Sequence, residues 1–148
     1  MKDLTKAQIK EIAEQLDLGF RAFYHKQTGE LIFVPDFLQY PDMDSEVFDE
    51  DLEKLDNNFM DYHEFEAMQS HEKFEMMKDF ADQLADNSSL SNKLIAALNK
   101  RKPFREFKFI IDNSGPYRQQ WFDFRNAQHI EWVENQIERY NRRDHISE

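Results

Sequence analysis

Phe20-Arg-Ala-Phe-Tyr-His25 and Leu31-Ile-Phe-Val-Pro35, joined by Lys26-Gln-Thr-Gly-Glu30, form the stretch on which the fold turns. Both flanking runs are rich in aromatic and β-branched side chains. Gly29 can take the left-handed conformation that a longer hairpin loop needs. The stretch therefore reads as a β-hairpin. Pro35 has no N–H to give a ladder, so it ends the second strand or places that strand at an edge.

Helical patterns lie on both sides of this hairpin. Upstream, Thr5-Lys-Ala-Gln8 reads as a capping box, because the Thr5 hydroxyl and the Gln8 amide each satisfy a free backbone N–H. Ile9, Ile12, Ala13 and Leu16 then recur at helical spacing, which predicts a helix over about 6–17, with Gly19 as its stop. Downstream, residues 36–58 are an acidic connector containing Pro41. Ser45 is placed to cap a short helix with Phe48, Leu52, Leu55 and Phe59 on one face, broken by Asn57-Asn58. The run Phe59–Phe65 alternates loosely and reads as a third strand, or as a short helix.

The remainder is helical in pattern. Ser70 is the expected cap of a helix with Phe74, Met77, Phe80, Ala81 and Leu84 inward. Asp86-Asn-Ser-Ser gives a loop and a fresh cap, before a helix that buries Leu90, Leu94, Ala97 and Leu98. Pro103 suits a first helical position; Phe104, Phe107 and Ile110/Ile111 follow as a face. Asn113-Ser-Gly-Pro116 is a turn. Tyr117, Trp121 and Phe124, then Ile130, Val133, Ile137 and Tyr140, continue the helical spacing, with a break expected near Asn126. Residues 142–148 are expected to fray.

The chain is thus expected to be a single α+β domain over residues 1–148, with a short antiparallel sheet of two or three strands and five or six helices. The N-terminal helix and hairpin occupy about 5–36, the connector 37–58, the mostly helical part 59–141 and the tail 142–148. The composition agrees with a self-sufficient core. The 148 residues are 40% hydrophobic and 14% aromatic, and fourteen Phe stand against only three Gly.

Composition also bounds the chemistry. Net charge is −11, but residues 1–98 hold 9 Lys/Arg and 22 Asp/Glu, while residues 99–148 hold 10 and 8. The first part (−13) repels polyanions, so any that bind must approach the last third (+2). With no cysteine, disulfides, thiolate catalysis and zinc–thiolate sites are excluded. The opening Met1-Lys-Asp-Leu has no apolar signal segment and no apolar run approaches a membrane span. The expected compartment is the cytoplasm.

Four sets of residues bear on function. Asp42, Asp44, Glu46 and Glu53 echo a calcium loop, but Val47 stands where that loop needs Gly, and the solvated face of a short helix is the better reading. His63 and His71, with Asp61, Glu64 and Glu66 near them, are candidate metal ligands, yet His63-Glu64 lacks the second His of a metalloprotease helix. No serine lies in a G-x-S-x-G elbow, and Gly19, Gly29 and Gly115 are isolated, so no familiar phosphate loop exists. No cofactor is expected. The fourth set is Lys100, Arg101, Lys102, Arg105, Lys108 and Arg118, interleaved with Phe104, Phe107, Trp121 and Phe122. Helical spacing assigns most of these rings to the core and the cations to a basic rim. The alternative is a surface for stacking single-stranded nucleic acid, or for docking an acidic protein.

Three groups of residues carry a family resemblance. They are Ser70-His71-Glu72-x-Phe74-x-x-Met77-x-x-Phe80; Leu98-x-Lys100-x-x-Pro103-Phe104-Arg105-x-Phe107-Lys108; and Trp121-Phe122-x-Phe124 with Glu131-Trp132. Over about residues 59–134 the chain resembles uncharacterised protein family 0158, small bacterial proteins with no assigned activity. It departs from the family pattern at Asn99, Arg101 and Pro103, where small residues are usual, and at Glu106, where a second basic residue is frequent. The resemblance implies a small α+β protein of the bacterial cytoplasm and supplies no site residues. The leading expectation is a non-enzymatic binding or regulatory module whose partner is an acidic protein or a second copy of the chain. Single-strand nucleic-acid binding through residues 100–124, and a metal-dependent enzyme using His63 and His71, are the alternatives.

Overall fold

The computed structural model describes residues 1 and 3–147, with residues 144–147 in backbone only. In chain order the elements are α1 (Lys6–Asp17), β1 (Phe20–His25), β2 (Leu31–Pro35), α2 (Asp49–Asn57), β3 (Tyr62–Phe65), α3 (Ser70–Asp82), α4 (Ser88–Leu98), α5 (Pro103–Asp112) and α6 (Tyr117–Ser147). Short 3-10 turns at Ser45–Phe48 and Phe59–Asp61 precede α2 and β3. The class is α+β. Two compact units are present: Met1–Ala67 with His129–Glu148, and Met68–Gln128.

The first unit is built on an antiparallel sheet of order β2-β1-β3. The hairpin pairs Phe23 with Ile32 and Arg21 with Val34, and Gly29 turns it with φ +76°. On the other side of β1, Ala22 pairs with Phe65 and Tyr24 with His63. Successive side chains of β1 point to opposite faces, and both faces are covered, so Ala22, Phe23 and Tyr24 are all buried. One face packs Ala22, Tyr24 and Phe65 against Ile12, Ala13 and Leu16 of α1 and Val133 and Ile137 of α6. The other packs Phe23, Ile32 and Val34 against Leu55, with Phe48 and Leu52 beside it. The predicted capping box starts α1: Gln8 N–H donates to Thr5 Oγ1 (3.1 Å) and Thr5 N–H to Gln8 Oε1 (2.9 Å).

Ladder parity decides which backbone groups of β3 remain open. Lys26 N–H donates to Asp61 C=O (2.8 Å), which makes residues 61, 63 and 65 the ones bonded to β1. The backbone groups of residues 62, 64 and 66 therefore point to the outer edge. At Glu66 that edge is closed by a side chain. Gln136 Oε1 accepts from Glu66 N–H (2.7 Å) while Gln136 Nε2 donates to Glu66 C=O (2.8 Å). A primary amide thus reproduces the paired bonds of a neighbouring strand. Trp132 Nε1 adds a second donor to the same carbonyl (2.7 Å). Gln136 is only 6% exposed, so its amide has no access to water as an alternative partner.

The second unit is helical. Met76, Phe80, Ala81, Leu84, Leu90, Leu94, Leu98, Phe107, Ile111 and Trp121 form its core. Trp121 stands edge-on to Phe80 (5.2 Å between centroids) and Phe107 (4.9 Å), the geometry that aromatic quadrupoles favour. Asn87 caps α4 by accepting from Leu90 N–H (3.0 Å), and Ser91 Oγ donates to Ala81 C=O at the end of α3 (2.7 Å). Gly115 makes the turn into α6 with φ +66°.

Several expectations are corrected. Residues 59–65 combine both readings, a 3-10 turn and then a strand. Asp44, not Ser45, caps the turn that leads into α2, its carboxylate accepting from Glu46 N–H (3.0 Å). Phe59 lies beyond the Asn57-Asn58 break and is exposed. The α3 cap is Gln69, whose N–H donates to Glu72 Oε2 (3.1 Å), and Met76 is buried where Met77 was expected inward. No break interrupts α6, which holds neither Gly nor Pro. Its apolar pattern jumps from Phe124 to Ile130, about 1.7 turns, because the residues up to Phe124 serve one core and those from Ile130 another. The helix runs to Ser147, and Glu148, the end of the tail expected to fray, lies outside the described residues.

Replacing Gln136 by Leu removes both bonds to the part-buried Glu66 peptide group. It should cost about 1–3 kcal/mol of folding stability, read from the urea midpoint at constant m. An unchanged midpoint would remove the amide from this role.

Candidate functional site

The cations singled out in the sequence divide into two groups. Lys100 Nζ approaches Glu106 Oε2 (3.9 Å), and Arg118 Nε donates to Asp112 Oδ1 (3.3 Å) with its guanidinium 4.7 Å from the Phe122 ring centroid. Arg101, Lys102, Arg105 and Lys108 are all exposed and have no ion-pair or hydrogen-bond partner among the described residues. Residues three and four apart are neighbours on a helix, which places Arg105 beside Lys108 and Phe109 on the outer face of α5. Phe109 is 69% exposed. The other rings of the segment are withdrawn: Phe107 and Trp121 are buried, Phe104 is half-buried, and Phe122 is half-buried beside Arg118. A stacking platform for nucleic-acid bases needs several open rings, and α5 offers one. Periodicity put the inward ring at Phe107; it gave no reason to single out Phe109, whose apolar character alone would have suggested burial.

The histidines are not gathered. His71 is in the first turn of α3, with an exposed side chain whose Nδ1 lies 3.0 Å from Glu72 Oε2. His129 is buried in α6, its Nε2 3.6 Å from Asp17 Oδ1. His63 projects from β3 beside Phe65 and Tyr140, with ring centroids 5.3 and 4.9 Å away. Among the described residues no group of three or more His, Asp or Glu side chains is placed to hold one metal ion. The metal-dependent reading therefore has no donor set there. Among the same residues no helix is long and apolar enough to cross a membrane.

His63 belongs instead to a groove of about 580 Å³ lined by Lys26, Tyr62, Glu64, Arg139, Tyr140 and Arg143 among others. Its Nε2 is screened from solvent and has no hydrogen-bond partner. Burial, reinforced by the Lys26 and Arg143 charges and opposed by Glu66 and Glu64, holds the imidazole below the ordinary histidine pKa, so it is neutral near pH 7. Glu64 is already engaged: its two oxygens take Nε and Nη2 of Arg21, each at 2.8 Å. Lys26 Nζ donates to Met60 C=O (2.9 Å) and Arg139 Nε to Asn135 C=O in its own helix (3.4 Å).

The chain is a two-unit α+β protein with a cationic helix face on α5 and an antiparallel three-stranded sheet. Its family follows from the sequence. The model of an uncharacterised protein family, UPF0158, matches residues 4–146, nearly the whole chain and well beyond the stretch that carried the resemblance, and the chain belongs to that family. No curated protein and no solved structure matches it.

The neutral His63 gives a pH signature. Below its ordinary pKa of about 6.5 the unfolded chain takes up a proton that the folded chain refuses. This contribution is absent above that pH and destabilises the fold as pH falls toward the lowered native pKa. Urea midpoints measured from pH 8 to pH 5 should therefore fall more steeply in the wild type than in His63→Gln. Parallel curves would show that His63 titrates normally.

Proposed function

We propose that the chain is a non-catalytic binding module that holds an acidic protein partner on the outer face of α5. One observation carries the reading. Arg101, Lys102, Arg105 and Lys108 are exposed and unpaired beside an exposed Phe109, in a protein whose net charge is −11. An abundance of carboxylates elsewhere in the chain makes pairing easy, yet these four cations have none. Clustered like charges repel one another and add nothing to the fold, and Arg105 stands in the first turn of α5, where the helix dipole disfavours a cation. Such a cluster acts by steering and registering an opposite charge, and Phe109 supplies the apolar contact that a purely electrostatic encounter lacks. Nucleic acid is the weaker reading, because the rings needed for stacking are mostly withdrawn and the remainder of the chain repels phosphate.

The test compares wild type with the reversal Arg101→Glu/Lys102→Glu/Arg105→Glu/Lys108→Glu in affinity capture from native cells. Partners specific to this face should be acidic, elute as salt is raised, and be lost from the reversed protein, while its circular dichroism stays unchanged. Recovery of the same proteins by both baits would sink the proposal.

A further inference from the structure

A cleft of about 360 Å³ opens between α4 and α5. It is lined by Leu90, which is buried, by Ile110, which is half-buried, and by the exposed ring of Phe109. Its volume falls within the roughly 300–1,000 Å³ typical of ligand clefts. Most polar side chains of the lining are already spent inside the fold. Asn87 Oδ1 accepts from Leu90 N–H (3.0 Å), Asn113 Nδ2 donates to Phe109 C=O (2.8 Å), and Ser114 Oγ donates to Ile111 C=O (2.6 Å). Ser89 and Lys93 are left, both exposed and without a hydrogen-bond or ion-pair partner among the described residues. The cleft therefore offers an incoming molecule apolar carbon, a hydroxyl and an ammonium group.

The free charges of the two helices have one sign. Lys93 stands on α4; Arg105, about one turn before Phe109, and Lys108 stand on α5, and none of the three is paired among the described residues. Residues 86–112 contain three carboxylates, and each already faces a partner. Asp86 accepts from the Tyr117 hydroxyl (3.0 Å), Asp112 from Arg118 Nε (3.3 Å), and Glu106 lies 3.9 Å from Lys100 Nζ. Charge complementarity names the occupant. A basic segment is repelled, and an uncharged apolar one leaves three cations unanswered. A purely acidic one leaves Leu90, Phe109 and Ile110 uncovered.

We propose that the cleft is the anchor point of the docking face. It receives one large apolar side chain from a short acidic segment of the partner protein, whose flanking carboxylates meet Lys93 on α4 and Arg105 and Lys108 on α5. This rests on the reading of α5 as a docking face, and it adds the cleft and Lys93, which that reading does not use.

The test titrates the isotope-labelled full chain with acetyl-Glu-Glu-Leu-Glu-Glu-amide. The amide resonances of Lys93, Phe109, Ile110 and Asn113 should shift together. Replacing the leucine of the peptide by alanine keeps every charge and should weaken binding by at least about tenfold. Lys93→Glu and Phe109→Ala, each an exchange of an exposed side chain, should weaken the leucine peptide by about fivefold or more with unchanged circular dichroism. Equal binding of the two peptides, with shifts confined to residues 101–108, overturns the cleft and leaves the charged face of α5 standing. Absence of any shift at millimolar peptide overturns it too. Movement of the same resonances on dilution of the chain alone would name a second copy as occupant, and equal binding of hexathymidylate a nucleic acid; either overturns the proposal. Lys93 and Phe109 are not among the residues reversed in the capture experiment, so failure of one reading is distinguished from failure of the other.

Discussion

The bond pair between the Gln136 side chain and the Glu66 backbone is the constraint around which the sheet-bearing unit is arranged. It joins residues seventy positions apart, through a Gln136 side chain that is itself buried. A peptide group that loses its partner on folding is costly, so the two bonds favour the register in which α6 lies over the end of β3. That register sets Val133 and Ile137 over Ala22, Tyr24 and Phe65. It also sets Tyr140 beside His63, and Arg139 and Arg143 along the groove. The hydrophobic contacts supply most of the free energy, being numerous and non-directional; the amide selects which of several similar apolar overlaps is realised.

Charge in this molecule is organised by a different logic. The sheet-bearing unit manages its cations locally: Arg21 on Glu64, Lys54 on Glu30, Lys26 on a backbone carbonyl. The helical unit leaves a run of cations unanswered on α5 while its rings build a core around Trp121. The aromatic density that made the segment conspicuous is therefore mostly structural, while its cations divide between pairs within the fold and four exposed side chains. One sequence stretch carries two messages because a helix has two faces, and only the three-dimensional partition between Phe107 inside and Phe109 outside separates them.

What was legible in the sequence was whatever local chemistry dictates. The capping box of α1, the Gly29 loop, the Pro103 start and the Asn113–Pro116 turn each specify backbone geometry within a few residues, and each is found where expected. The strand β3 was only half legible, because a four-residue strand preceded by a 3-10 turn is too short for either period to dominate. The continuity of α6 was obscured by a shift in its apolar stripe, which reads as a helix end unless two cores are known to share it. His63, named as a metal candidate, lies in the groove, and among the described residues no group of three or more ligating side chains is gathered. The groove itself was illegible. It depends on ladder parity across β1 and on Gln136, a residue whose type at an interior helical position announces nothing until its partner is known.

The division of the first unit between residues 1–67 and 129–148 has a consequence for how the protein is made. During synthesis the hairpin, α1, α2 and β3 emerge early, but the strip of α6 that covers Phe65 and caps Glu66 is translated only after the helical unit. Until then Ala22, Tyr24 and Phe65 have one apolar face open and β3 presents a bare edge. The helical unit, whose residues are contiguous, has no such dependence. It is therefore positioned to mature first on the ribosome, although the other unit begins earlier in the chain. A nascent chain truncated before Gln136 would carry a finished helical unit and an unfinished sheet, the species in which exposed edges most invite aggregation.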